Sequence, residues 1–348
     1  MSEDPRRDAR VPVLQMAVVA VIASAFGIAA GLAIEWFPER ASTQAGPIDH
    51  LYDVLIWSSV PIFVVVTMIV LFSVWKFRMR PGEEQLDGPP IHGNTRLEVI
   101  WTAVPAIVLV LLCSYAWVVL NDIEEAQAGE MRINVVGQQF AWTFEYPQAD
   151  GKPIKSNDLY LAKDRPVRFY VKALDVIHDF WVPAFRMKVD AVPGIETRYR
   201  ITPSRLGTYP VVCAELCGLG HSVMRATTRV VPEAEFDKWL AEQKAPAAES
   251  PDGEVDGKQL FTDGTGAATS CGSCHTLADA GTQGQSGPDL DETLPGKDAA
   301  DIEESIVRPE ASITSGFQGG IMPKNYGDTL SDEQLKALVA YLGKVAGK

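Results

Sequence analysis

Residues 212–224 combine four side chains that bind soft metals. Cys213 and Cys217 lie four residues apart, His221 follows four residues later, and Met224 three beyond that. Thiolate, imidazole and thioether ligands together favour copper. Two other interpretations stay open at this point, a disulfide between the cysteines and a Cys2His2 zinc site. The short spacing of the cysteines argues against a structural disulfide, and the thioether argues against zinc.

A copper site of this kind needs a second imidazole, and the chain has 5 histidines. His50 lies near the edge of an apolar stretch, and His92 lies between two such stretches. His275 belongs to another motif. His178 remains, at the predicted end of a strand, and elimination makes it the candidate ligand although a strand-end histidine is more often an ordinary residue.

A second motif, Cys271-Gly-Ser-Cys274-His275, is the signature of covalent c-type haem attachment. It predicts two thioether bonds and one axial imidazole. A redox dithiol is the alternative, but a histidine directly after the second cysteine adds nothing to a dithiol. No histidine follows His275, and Met322 is the only methionine after Met224. A Met–His pair raises the haem potential, so Met322 is predicted as the second axial ligand.

Three apolar stretches, residues 11–34, 54–74 and 99–120, are long enough to cross a bilayer. The first is either an uncleaved membrane helix or a cleaved secretory signal, and its length favours the helix. Basic residues predict the orientation, because Lys/Arg-rich loops stay in the cytoplasm. Such residues precede the first stretch and lie between the second and third, namely Lys76, Arg78, Arg80 and Arg96. Everything after residue 120 is therefore predicted to lie outside.

Beyond the membrane stretches the pattern changes twice. Residues 131–231 show short alternating runs separated by turn residues, which predicts an antiparallel β-sandwich. A predicted helix at residues 233–243 leads into a Pro/Ala-rich linker at 244–253. Helical patterns at 256–261 and 331–345, the latter capped by Ser331, predict a small all-α last domain.

Charge and composition exclude several classes. Residues 232–348 carry 21 acidic and 9 basic side chains, so they hold about −12 of the chain's net charge of −14. No basic face is available for nucleic acid. Gly and Pro follow no period, and 5 cysteines in 348 residues do not form a disulfide scaffold.

The chain resembles subunit II of cytochrome c oxidase in several segments. They are residues 212–224, the two later apolar stretches, and residues 137–146, 175–183 and 188–194. The resemblance implies a cupredoxin-like β-sandwich that holds the dinuclear copper centre CuA. It also implies that the Glu215 carboxylate binds a magnesium ion shared with subunit I. The implied copper ligands are the bridging thiolates Cys213 and Cys217, the imidazoles His178 and His221, and the weak ligands Met224 and the Glu215 backbone carbonyl. Quinol-oxidising relatives lack these copper ligands, which this chain keeps.

Two further positions bear on electron and proton transfer. The family usually has a Trp-Tyr-Trp run where electrons arrive, and here residues 140–142 read Phe140-Ala141-Trp142. Only Trp142 is kept, so direct delivery by a soluble donor is put in question. Glu98 occupies the position that the resemblance associates with proton uptake into subunit I. The alternative is a carboxylate at a helix end by the membrane surface.

The last domain looks like a class I cytochrome c, so the whole chain is similar to subunit II of caa3-type haem–copper oxidases. The implied activity is electron transfer from a donor, cytochrome c or a cytochrome bc complex, through haem c and CuA to subunit I. Oxygen reduction and proton pumping would occur in subunit I, with subunit III as a further partner. The expected place is the bacterial plasma membrane, multi-pass, with both redox domains on the outer face. A copper chaperone or assembly factor, and the corresponding subunit of a CuA nitric oxide reductase, are the alternatives.

These inferences divide the chain into five predicted segments. They are an N-terminal hydrophobic segment (1–40), a transmembrane hairpin (41–125), the cupredoxin domain (126–232), a helix and linker (233–253) and the cytochrome c domain (254–348).

Overall fold

The computed structural model describes residues 12–79, 81–82, 92–149, 153–244, 255–264 and 270–346. The basic residues before position 12, Arg80 and the predicted linker from residue 245 onward lie outside this part of the chain. The chain forms two compact units, one with three long helices and the other with a β-sandwich and a helical domain.

The three long helices are α1 (Val13–Ala33), α2 (Ala45–Phe77) and α3 (Thr95–Ile123), each apolar and long enough to cross a membrane. Most of their large apolar side chains are exposed, as lipid-facing side chains would be. Helix α2 begins nine residues before the predicted apolar stretch. The prediction used apolar residues only, whereas the helix also includes a polar segment with Asp49, His50 and Asp53.

Two glycines bring α1 close to α2. A Cβ atom at Gly27 would lie 2.8 Å from Val60, and one at Gly31 would lie 3.0 Å from Ile56. Small residues four apart let two helix backbones approach closely in a membrane. Helix α1 is therefore shaped to pack against α2.

The β-sandwich consists of two five-stranded sheets, ordered β3-β2-β1-β5-β8 and β4-β10-β9-β6-β7. The strands are β1 (Met131–Gln138), β2 (Ala141–Tyr146), β3 (Ile154–Ser156), β4 (Leu159–Ala162), β5 (Val167–Ala173), β6 (His178–Trp181), β7 (Lys188–Ala191), β8 (Thr197–Ile201), β9 (Gly207–Cys213) and β10 (Arg225–Val231). The prediction of a purely antiparallel sandwich is wrong, since β1 pairs with β5, and β10 with β4, in parallel. Alternation shows which face of a strand is buried, but it does not show the strand's direction.

Aromatic side chains fill the space between the sheets. Phe144, Phe169 and Phe180 are fully buried, and the Phe180 ring lies 5.5 Å from that of Phe169. Burial of such a ring stabilises a fold by about 1.5–3 kcal/mol. Helix α4 (Glu233–Lys244) adds to this core, because its Trp239 ring stacks on Tyr160 at 4.3 Å.

The helical domain has its own apolar core. Its elements are α5 (Gly257–Asp263), β11 (Thr276–Leu277), β12 (Thr282–Gln283), α6 (Leu290–Thr293), α7 (Ala299–Val307), α8 (Tyr326–Thr329) and α9 (Asp332–Ala346). Helices α5 and α9 cross closely because Gly257 lies against the backbone of Ala337, where any Cβ would collide. The predicted cap of α9 is confirmed, since the Ser331 hydroxyl accepts from Gln334 N at 3.2 Å. The two short strands form a hairpin that the sequence did not predict.

The helical domain contacts the sandwich through polar side chains. Asn157, in the turn between β3 and β4, donates to the Thr262 carbonyl at 3.3 Å and accepts from the Ser270 hydroxyl at 3.1 Å. Arg229 of β10 donates to Gln283 at 3.2 Å. Ser270 is buried, so water does not compete for its hydrogen bond. Side-chain hydrogen bonds from several elements therefore join the two domains.

Candidate functional site

The first candidate site lies where strands β6 and β9 end and the loop to β10 begins. Cys213 closes β9 and lies opposite Phe180 of β6, which places it beside His178. The Cys213 and Cys217 sulfurs are 3.8 Å apart. A ring nitrogen of His178 and these two sulfurs all lie within 4.8 Å of one another. The pleat of the sheet and one loop therefore bring three soft ligands to one point.

The remaining predicted ligands surround the same pair of sulfurs. His221 Nδ1 lies 3.6 Å and Met224 Sδ lies 3.8 Å from the Cys217 sulfur. The Glu215 carbonyl oxygen lies 3.2 Å from the Cys213 sulfur. Met224 is fully buried, and a short 3₁₀ turn at His221–Val223 sets its direction. The structure brings all six predicted groups together.

The orientation of the His178 ring fits a metal ligand. Its Nε2 lies 2.9 Å from the Asp175 carboxylate, which only accepts hydrogen bonds, so Nε2 carries the proton. Its Nδ1 is buried and has no hydrogen-bond partner. A histidine whose other nitrogen is held by a carboxylate has a fixed tautomer and a more basic lone pair. Sequence reasoning did not assign Asp175, although a carboxylate three residues before the histidine was the available signal.

Electrostatics at the two thiols favour a bound cation. Burial raises the pKa of Cys213, but the neighbouring His178 ring and the backbone at Asp179 and Glu215 outweigh it and lower that pKa to about 7. Burial and the neighbouring Cys213 raise the pKa of Cys217 to about 12. A negative charge on one thiol therefore disfavours a second on the other, because the two charges repel each other. A soft cation between the sulfurs removes this repulsion and allows both to ionise.

Two acidic side chains lie in or beside the loop of residues 212–224, Glu215 and Asp179. The Glu215 side chain is exposed, whereas Asp179 is buried with one carboxylate oxygen unpartnered. Burial raises the pKa of Asp179 to about 6, against the opposing effect of Lys188. Asp179 faces Asp190 across the β6–β7 pair, and sequence reasoning gave it no role.

Both aromatic residues of the predicted electron-arrival position are buried. Trp142 is 1% exposed, and its ring lies 5.9 Å from that of His178. Phe140 is 7% exposed and packs on the loop of residues 212–224, where a Cβ atom at Gly218 would lie 3.1 Å from its ring. Trp142 thus touches a predicted ligand but offers no surface to a soluble partner.

The second candidate site is an apolar cavity in the helical domain. Cys271, Cys274, His275 and Met322 all line it. His275 Nδ1 donates to the Pro288 carbonyl at 2.8 Å, because a carbonyl can only accept. This leaves Nε2 as the nitrogen with a lone pair. Burial lowers the pKa of His275 and keeps the ring neutral, as a metal ligand must be.

The approach of the chain to His275 requires a glycine. A Cβ atom at Gly287 would lie 2.5 Å from the His275 ring, and Gly287 N donates to the Cys274 carbonyl at 2.8 Å. The segment through Ser286 and Pro288 therefore holds the imidazole from one side. The donor set, two thiols and an imidazole beside a thioether in one apolar cavity, fits a covalently attached haem.

Helix α3 contains Glu98, which was predicted to assist proton uptake, and Cys113, which was assigned to no site. The Glu98 side chain is exposed and accepts a hydrogen bond from Asn94 N at 3.0 Å, so it caps the start of its own helix. Cys113 is an exposed cysteine on α3 and is a predicted ligand of neither site.

Three family models match the chain. Cytochrome C oxidase subunit II, transmembrane domain, covers residues 29–119, and the periplasmic domain of the same subunit covers residues 152–231. The cytochrome c model covers residues 254–346. The resemblance inferred from sequence is confirmed, and so is the fold class of membrane helices, cupredoxin-like sandwich and cytochrome c domain.

Two relatives and one solved structure are similar to this chain. "Cytochrome c oxidase subunit 2" of Thermostichus vulcanus is 32% identical, over 60% of this chain and 79% of that protein. The protein of the same name from Alkalihalophilus pseudofirmus is 32% identical, over 84% of this chain and 86% of its own length. A solved structure, the periplasmic domain of subunit II of cytochrome oxidase of Bradyrhizobium japonicum, is 28% identical, covers 34% of this chain and 97% of that one, and has a TM-score of 0.33.

Proposed function

The chain belongs to the cytochrome c oxidase subunit II family and is a subunit of a terminal oxidase, and we propose that it is the subunit through which electrons enter. The proposed path leads from a donor through haem c and CuA to the haem and CuB centre of subunit I, where oxygen reduction is coupled to proton pumping. The observation that carries the proposal is the presence, in one chain, of a complete soft-ligand site and a complete haem-attachment site.

The proposed CuA ligands are Cys213, Cys217, His178, His221 and Met224 with the Glu215 carbonyl. A dinuclear copper centre held by these residues would supply one-electron chemistry with little rearrangement of its ligands. The chain's own part is to hold the ligands rigidly. The unpartnered Nδ1 of His178 and its Asp175 partner support this assignment.

Cys271 and Cys274 would attach the proposed haem c covalently, and His275 and Met322 would ligate its iron. Such a group supplies one-electron chemistry at a potential that the Met–His pair raises. The hydrogen bond from His275 to Pro288 orients the imidazole.

The donor is proposed to be a basic one-electron carrier, a cytochrome c or a cytochrome bc complex. Among the described residues of the helical domain, Ile313 and Phe317 are the exposed large apolar side chains, 48% and 37% exposed, and both line the haem cavity. The domain around them is acidic. An apolar patch in an acidic surface suits a basic partner, whose approach salt would slow.

The membrane arrangement is proposed as follows. The close contact of α1 with α2 through Gly27 and Gly31 supports an uncleaved third helix. The sandwich and the helical domain would lie on the outer face of the bacterial plasma membrane, with subunits I and III as partners. The exposed Glu215 carboxylate would reach a magnesium ion at subunit I, and Glu98 would assist proton uptake there. The predicted bounds of the five segments stand as part of this proposal.

Oxygen uptake by the complex purified through this subunit is the test of the proposed function. We expect oxygen consumption with a basic cytochrome c, a covalently bound haem and the stable purple spectrum of a dinuclear copper centre. Reduction of nitric oxide without oxygen uptake would instead assign the subunit to a nitric oxide reductase. Release of the copper to an acceptor protein would identify a chaperone. Either result would contradict the proposal.

A further inference from the structure

One serine joins the two candidate sites. Ser286 of the helical domain donates its hydroxyl proton to the Val223 carbonyl of the sandwich at 2.7 Å. It is only 8% exposed, so water has little access to this hydrogen bond. Ser286 is followed in the chain by Gly287, which packs on the His275 ring. Val223 is followed by Met224, a predicted copper ligand.

A continuous chain of bonds runs through this contact. It begins at the His275 ring, whose Nδ1 donates to the Pro288 carbonyl at 2.8 Å. The backbone then leads through Gly287 to Ser286, and the hydroxyl crosses to Val223. One peptide link further lies Met224, a proposed copper ligand. Only two hydrogen bonds, both short, interrupt the covalent path.

A second connection meets the same segment. Gly287 N donates to the Cys274 carbonyl at 2.8 Å, so the backbone of a cysteine proposed to attach the haem is also hydrogen-bonded to this segment. The Cys274 backbone therefore also reaches the sandwich through Ser286, in addition to the contact of Ser270 with Asn157.

On the other side of the haem cavity, no hydrogen bond among the described residues joins residues 319–323 to the sandwich. There Met322 and its neighbours face Phe140 and Leu219 across a cleft of about 580 Å³. The contact of Leu219 with Gly320 is apolar and is not a hydrogen bond. An electron leaving on that side would cross a gap or a van der Waals contact.

From this we infer that Ser286 is the positioning residue that couples haem c to CuA, through the path His275–Pro288–Ser286–Val223–Met224. The inference rests on the proposed function. The step moves one electron: the iron bound by His275 goes from ferrous to ferric and the copper pair gains that electron. No bond forms or breaks, and no proton is transferred.

The test uses the intact complex with Ser286→Ala, which removes the hydroxyl, and Ser286→Thr, which keeps it. Haem c is reduced in a laser flash, and the absorbance of both centres is followed. We expect the rate of haem c oxidation by CuA to fall severalfold in Ser286→Ala and to recover in Ser286→Thr. The haem potential, the copper EPR spectrum and the metal content should match wild type in both.

Asn157→Ala is the matched control, because it removes two interdomain hydrogen bonds that lie off the path. Amide hydrogen exchange across residues 282–288 reports whether each variant stays docked. A wild-type rate in Ser286→Ala, or an equal loss in Asn157→Ala, would overturn the inference while leaving the proposed function intact. If haem c does not reduce CuA even in the wild-type complex, the proposed function itself fails.

Discussion

Replacing Cys217 with serine should abolish the copper centre, with copper content falling to background and the dinuclear EPR signal lost. The Cys217 sulfur lies within 3.8 Å of the Cys213 sulfur, the His221 ring and the Met224 sulfur, so it neighbours three of the other proposed ligands. A serine hydroxyl is a hard, protonated ligand and does not bridge copper ions. The measurement is metal analysis together with EPR of the purified complex.

Cys113→Ser is the matched control, since this exposed cysteine of α3 lies outside both sites and its loss should leave the copper unchanged. Met224→Leu should retain copper but transfer electrons slowly, because only a weak ligand is lost. Wild-type copper content and EPR in Cys217→Ser would show that the assignment is wrong.

Replacing Met322 with alanine should leave the haem covalently bound but lower its potential. Cys271 and Cys274 still hold the haem, whereas the thioether that raises the potential is gone. The absorption band in the red region that arises from sulfur bound to ferric iron should vanish. Redox titration and optical spectra of the purified complex measure both effects.

The two methionine variants control for each other. Met322→Ala should keep the copper EPR signal, and Met224→Leu should keep the red-region haem band. If the band persists in Met322→Ala, another residue is the axial ligand.

The ligand types were predictable from the sequence, while the groups that orient them were not. Cys213, Cys217, His221 and Met224 share one loop, so their spacing alone brings them together. His178 was found only by elimination, because its closeness to Cys213 depends on the pairing of β6 with β9. The role of Asp175 depends on the turn that directs its carboxylate back to His178, which spacing does not specify.

The sequence pattern also did not indicate the direction of the paired strands or the contacts between the two domains. The parallel pairs β1–β5 and β4–β10 follow from how distant strands meet, and alternation carries no information about it. Substitution of Phe for Trp at position 140 indicated a changed path for electrons. It did not indicate that Phe140 is buried, or that the chain places Ser286 against Val223.

The sandwich core and the helical-domain core are separate clusters, and α4 belongs to the first. A chain that ends after Gln243 should therefore still fold its sandwich and bind copper, while the path through haem c is removed. Trp142 and Phe140 offer a soluble donor no exposed aromatic surface.

The most direct test of the central claim is stopped-flow reduction of CuA by a soluble basic cytochrome c, compared between this truncated complex and the intact one. In the intact complex, transfer from haem c to CuA should be first order and independent of donor concentration, because the domains are joined. In the truncated complex CuA should be reduced far more slowly, and most turnover should be lost. Equal rates of CuA reduction in the two complexes would contradict the account, because the fused domain would then be dispensable.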